Sequence, residues 1–438
     1  VVDVTPRANP WRAEYLTGLG LALRSGHELT GEPGMLDEAE TVLRSAIAEA
    51  LQPLPLTQHA LGVVLRLRAE RAGGDLAEVL DLLARAAGAL RPGHVDYAVF
   101  LGSLGNAQLV AALRIDGVDG VEAAVTTLRR ALAATPPDHG DSPAGLHDLG
   151  LALRVLAERT GDGQVLREAV EVSGQATAST ADGHAELPSH LHGLAASQAA
   201  LFLRTGDDRA LAAALDAAER AVAATPAADP RCAMHLHALA VAHTLRFEWT
   251  GELDQLHRAT AAARQAVAAA PPDHPARGIY LSGLGNALAA LAARTDDAGA
   301  LAAAFAAFEQ AAAALPAGRP ERAAVLSNLG SALHASALRS GDADTVAAAV
   351  ATLRQAVGAT PAGHQNRAGH LHNLGSALRL SFQLGGDPDE LDEAVAALRL
   401  AAGSTPADHP RRAARLASLG AALQLLAGQT GDPTPLSE

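Results

Sequence analysis

A Leu-Gly step recurs along this chain, mostly as Leu-x-x-Leu-Gly. Its glycine falls at Gly20, Gly62, Gly105, Gly150, Gly285, Gly330, Gly375 and Gly420, and Ala195 and Ala240 fill the two remaining places. The spacings are 42, then 43, then 45 throughout. A fixed period of this length is the mark of a stacked array, in which each unit is one supersecondary element that buries its apolar face only against its neighbours.

One unit, residues 321–361, shows what the element is. Leu326, Leu329 and Leu333 make an apolar stripe with helical spacing. Ser340-Gly341-Asp342 breaks it: Gly suits the left-handed position past a helix end, and Asp suits the N-cap of the next helix. The second stripe is Val346, Val350, Leu353 and Val357, ended by Thr360-Pro361. Similar turns occur at Thr160-Gly161-Asp162, Thr205-Gly206-Asp207, Thr250-Gly251-Glu252 and Thr430-Gly431-Asp432, and the loop between units recurs at Thr135-Pro136, Thr225-Pro226 and Thr405-Pro406. Helices of about 15 residues are expected, with no strand pattern anywhere. The reading is all-α: one solenoid of about ten helix-turn-helix repeats over residues 1–438. Gly inside a helix costs about 1 kcal/mol against Ala, so the recurring small residue predicts close packing by a neighbouring helix.

Composition narrows the function. Net charge is −14, and all 34 basic residues are Arg, with no Lys. An acidic chain without a basic stripe argues against backbone-tracking nucleic-acid binding and against docking on anionic membranes. The single cysteine, Cys232, excludes an intrachain disulfide and a Cys-based zinc knuckle, and fits a reducing, cytoplasmic setting. Aromatics are only 3 % of the chain, so Ala, Leu and Val must fill the core.

Leu326, Leu329, Gly330, Leu333, the Ala-rich second helix and Pro361 match the tetratricopeptide repeat (TPR) in kind and order. The unit is 11 residues longer than the standard one, 45 against 34. It resembles the extended repeats of kinesin light chains, and still more the long actinobacterial arrays that accompany a caspase-like CHAT protease domain. The resemblance implies a superhelix whose first helices line a concave groove, with groove positions three before, one after and four after the Leu-Gly glycine. Those positions, with the one two before it in later units, hold His147, Arg154, His192, His237, Asn286, Asn328, His334, His372, Asn373 and Arg379. Donors of this kind suit an extended peptide with acidic side chains. The bland counterpart is a solvated helix face, and Arg24, Arg66 and Arg154 each have a Glu four residues on that can neutralise them. The carboxylate clamp of the family uses Lys, which this chain lacks.

The resemblance implies a scaffold for a protein or peptide, with no cofactor and no metal. The competing readings are a regulatory module of a larger effector, such as a CHAT-type protease, and an enzyme or small-molecule binder using the His/Arg/Asn groove. No Walker A, Gly-x-Ser-x-Gly or His-Glu-x-x-His sequence is present, so no catalytic residue is assigned and the chain reads as a non-enzyme. His94, His139, His184, His274, His364 and His409 share one loop position and are expected to pack beside a helix start, too far apart to share a zinc. Cys232 falls where other units have Arg12, Arg277, Arg322, Arg367 or Arg412. The opening TPRANPWRAEYL, without an initiator Met, aligns with the inter-repeat loop and first helix of later units, as if a preceding repeat had been cut away, and GDPTPLSE ends where a second helix would begin. A fragment or processed form of a longer protein is the expectation.

Overall fold

The computed structural model describes residues 5–6, 9–52, 54–72, 74–114, 117–136, 142–316, 320–364, 366–405, 411–431 and 434. Among these, ten first helices alternate with nine second helices. The first helices are α1 (Arg12–Thr30), α3 (Pro55–Ala72), α5 (Tyr97–Leu113), α7 (Ser142–Thr160), α9 (Leu187–Thr205), α11 (Cys232–Thr250), α13 (Arg277–Thr295), α15 (Pro320–Ser340), α17 (Arg367–Gly385) and α19 (Arg412–Thr430). The second helices are α2 (Gly34–Glu49), α4 (Ala77–Gly88), α6 (Asp119–Ala134), α8 (Gly163–Ala178), α10 (Asp208–Ala224), α12 (Leu253–Ala269), α14 (Ala298–Ala314), α16 (Ala343–Gly358) and α18 (Pro388–Gly403). No residue among those described is in a strand. The chain is an all-α solenoid of TPR-like hairpins, and it divides into two compact units, Val1–Ala210 and Leu211–Glu438.

The first helices are longer than the expected 15 residues. Most have 19, and α15 has 21. They begin one turn before the Leu stripe, because the first turn is held by loop side chains rather than by an N-cap residue of its own. His94, His184, His274 and His364 each accept, at Nδ1, the backbone N–H two residues on, at 3.1–3.2 Å. His139 and His409, at the same register, lie outside the described residues, as do Pro406 and Asp432.

Turns follow the sequence pattern. Gly161, Gly206, Gly251, Gly341, Gly386 and Gly431 take the left-handed conformation. Asp162, Asp297, Asp342 and Asp387 accept backbone N–H bonds at the start of the second helices. In one hairpin Asp296 stands in place of the glycine and is the one non-glycine residue with positive φ, at 52°, among those described.

Within each hairpin the small residue of the Leu-Gly step receives a knob from the second helix. A Cβ on Gly330 would lie 2.5 Å from Leu353 Cγ, and one on Gly20 would meet Leu43 equally closely. Gly285 faces Phe308, which is fully buried. Where the glycine becomes Ala240, the knob shrinks to Ala263, and the two sit in one buried cluster. In most hairpins the small residue is matched to a bulky partner 21 or 23 positions on, while Gly150 faces the smaller Ser173.

Candidate functional site

The residues three before each glycine were expected to face a groove, and they do not stand freely there. They pack sideways, against the residue two before the glycine of the following repeat. His59 Nε2 lies 2.8 Å from Ser103 Oγ, and its ring stacks on Phe100 with centroids 4.1 Å apart. His147 covers Gly193, His237 covers Gly283, and Asn373 donates to Ser327 Oγ at 3.1 Å. The reason is that neighbouring first helices approach closely along this edge, so a long side chain there is taken into the seam. Burial consequently lowers the pKa of His147, His237 and His372, and takes His59 down to about 4.

A second set of histidines is structural. His190, His235 and His370 each bond through Nδ1 to the hydroxyl of Thr180, Thr225 or Thr360 ten residues earlier, at 2.7–3.0 Å. All three are buried, and burial lowers each to about 4. In the last repeat the same place is held by Arg415, which donates to Thr405 Oγ1.

The other expected site residues separate by unit. In Val1–Ala210, Arg154 is bound to Glu158, as its spacing foretold, and His192 on α9 is half-buried. In Leu211–Glu438, His237 and Asn286 line a cavity of about 360 Å³ between α11, α13 and α15, whose apolar walls include Val241, Leu245 and Ile279. Asn328, His372 and Asn373 line a neighbouring cavity of about 670 Å³ at the starts of α15, α17 and α19. His334 and Arg379 lie beyond both, although Arg379 and His372 are near enough to His334 to help burial hold its pKa down. Arg379 bonds Gln383 at 3.4 Å, where the earlier repeats have a Glu.

The larger cavity also takes in Asn366, Arg411 and Arg415, which position-counting did not single out. None of its described lining residues is a carboxylate. Both arginines contribute to lowering His372, after burial. The sequence did hold a signal for one of them: Arg415 is a charge at a register position where three earlier repeats have His190, His235 and His370.

Asp148 was also missed. It stands two before Gly150, where the other repeats have Gly, Ala, Ser or Asn. Asn106 donates Nδ2 to its Oδ2 at 2.7 Å. Burial pushes its carboxyl up to about 6, against smaller lowering by Asn106 and Arg66.

Among the described residues no group of three or more His, Cys, Asp or Glu is placed to hold a metal ion, and no helix is long and apolar enough to cross a membrane.

No family model and no curated protein matches the chain. Similar solved structures are helical-repeat proteins. Kinesin-light-chain TPR-like repeats from Podosopora anserina are 22 % identical over 50 % of this chain and 97 % of that one, with TM-score 0.36. The C-terminal part of a TPR repeat-containing protein from Cytophaga hutchinsonii is 11 % identical over 72 % of this chain and 99 % of that one, with TM-score 0.39. Human IFIT1, solved as a dimer with PPP-AAAA, is 14 % identical over 94 % of this chain and 91 % of that one, with TM-score 0.46. The repeats here are TPR-like on the strength of their own hairpins and Leu-Gly packing.

Proposed function

We propose that the chain is a protein-interaction scaffold rather than a catalyst, and that the first-helix face of Leu211–Glu438 holds an extended peptide bearing an acidic and a hydrophobic side chain. The observation that carries this is the cavity at the starts of α15, α17 and α19: in a chain of net charge −14, its described lining brings together Arg411, Arg415, Asn328 and Asn373, and none of those described lining residues is a carboxylate. A carboxylate entering it would meet charged and amide donors at once. The apolar cavity shares Ala324 with it and fits a neighbouring aliphatic or aromatic side chain. A repeat array presents such a surface already formed, which lowers the ordering cost of binding. Cys232, as the single cysteine, is compatible with a reducing compartment such as the cytoplasm.

The test is a peptide array in which Asp and Glu positions are paired with their Asn and Gln isosteres. Acidic peptides should bind and their amide versions should bind about tenfold more weakly or worse. Arg411→Glu should abolish the preference while far-UV circular dichroism stays unchanged. Arg154→Glu, in the other unit and at a residue already matched by Glu158, should leave binding unchanged. Equal binding of acid and amide peptides would remove the proposed site, and preference for an oligonucleotide over every peptide would replace a protein partner with nucleic acid.

A further inference from the structure

Most later repeats carry an arginine at the start of the first helix that caps the second helix before it. Arg277, Arg322, Arg367 and Arg412 each donate to two carbonyls, ten and seven residues earlier. Those carbonyls are the orphan acceptors of a helix end, which also carries partial negative charge. At the start of α7 the corresponding residue is Ser142, which is too short to reach, and α6 has no basic residue in its last turn.

At this end, where Thr135 rather than an arginine donates to the carbonyls of Leu132 and Ala131, lies a cavity of about 450 Å³. Leu132 and Thr135 close it from the end of α6, Val99 and Asn106 from α5, and Gly145 and Asp148 from α7. Asp148 is the one carboxylate among the described lining residues, and none of them is an arginine. Among the described residues Asp148 makes no direct ion pair, although Arg66 is near enough to lower its pKa, and Asn106 spends its amide nitrogen on it.

We propose that this cavity binds an arginine side chain of a partner polypeptide, whose guanidinium pairs with Asp148 and takes the place that the cap arginines fill in the later repeats. The fit is chemical. A guanidinium presents five donors in a plane, enough for a carboxylate, the Asn106 amide oxygen and helix-end carbonyls together. The apolar walls suit its methylene stem. A carboxylate disfavoured by burial also gains more from a cation than a solvated one does. The site lies in Val1–Ala210 and has the opposite charge preference to the cavity proposed above for acidic peptides, so either can fail without the other.

The test uses the full chain and two probes, agmatine (an alkylguanidinium) and acetyl-Gly-Arg-Gly-amide, in titration calorimetry near neutral pH. Both should bind saturably with one site, and the citrulline version of the peptide should not. Asp148→Asn, nearly isosteric, should weaken binding about tenfold or more. Ser142→Arg, which supplies the guanidinium from the chain itself, should abolish binding while raising the unfolding temperature. The proposal is overturned if the wild-type chain shows no saturable binding, if citrulline binds as well as arginine, or if Asp148→Asn retains full affinity. Should Ser142→Arg fail to fold, the other arms decide alone.

Discussion

Single residues at the repeat joints show which local rule each hairpin depends on. Asp296 occupies a left-handed position at φ 52°, where its sister repeats have glycine. A side chain there costs about 1–2 kcal/mol, partly relieved by the tolerance of Asp for that region. Asp296→Gly should therefore raise stability by roughly 0.5–1 kcal/mol, read as a higher midpoint in urea with unchanged slope. The cap arginines make the reverse case. Arg367→Ala removes the guanidinium from the carbonyls of Val357 and Thr360, leaving the first with only the Thr360 N–H, and hydrogen bonds to charged groups contribute about 1.5–3 kcal/mol. A loss in that range is expected in equilibrium unfolding, and a change within experimental error would mean that water caps the helix equally well.

Between elements, the Leu-Gly step and its knob act as one unit of packing. Gly330→Ala drives a methyl to within 2.5 Å of Leu353, and overpacking of this kind costs about 1–3 kcal/mol. Helix propensity returns about 1 kcal/mol of that. Leu353→Ala alone empties a fully buried site and should cost about 2–5 kcal/mol. The double variant reproduces the pairing of Ala240 with Ala263. It should be more stable than the sum of the single losses, with a coupling of about 1 kcal/mol or more in a double-mutant cycle. Strict additivity would show that the two positions do not sense each other.

Across the molecule, buried histidines set how stability depends on pH. His59, His190, His235 and His370 fall from 6.5 to about 4 through burial. Between those values the unfolded chain binds protons that the folded chain refuses, so stability rises with pH across the window and is lost on acidification. Asp148 acts oppositely: its carboxyl is raised from 3.8 to about 6, so the folded chain binds the extra proton and stability falls as pH rises through that range. Four groups outweigh one, and the unfolding temperature should drop on going from pH 7 to pH 5. A flat or rising profile would mean that the histidines open to water before the chain unfolds.

Much of this molecule follows from its sequence alone. The Leu-Gly spacing, the Thr-Gly-Asp turns and the Thr-Pro loops determined the hairpin, its period and its helical class, because helix stripes, left-handed caps and N-caps are local and repeat in register. The pairing of Arg154 with Glu158 was legible for the same reason, four residues being one turn of helix. Only the tertiary structure decided which polar residues face a cavity. His147 sits at a position counted as groove-facing, yet the approach of the next helix draws it against Gly193, whereas His237 covers Gly283 and also lines a cavity. Asp148 meets Asn106 across repeats, 42 residues away in the chain, and Arg411 and Arg415 act on His372 of the preceding repeat. Such contacts depend on how adjacent hairpins are set against one another, a geometry fixed by the sizes of many side chains together and carried by no single motif.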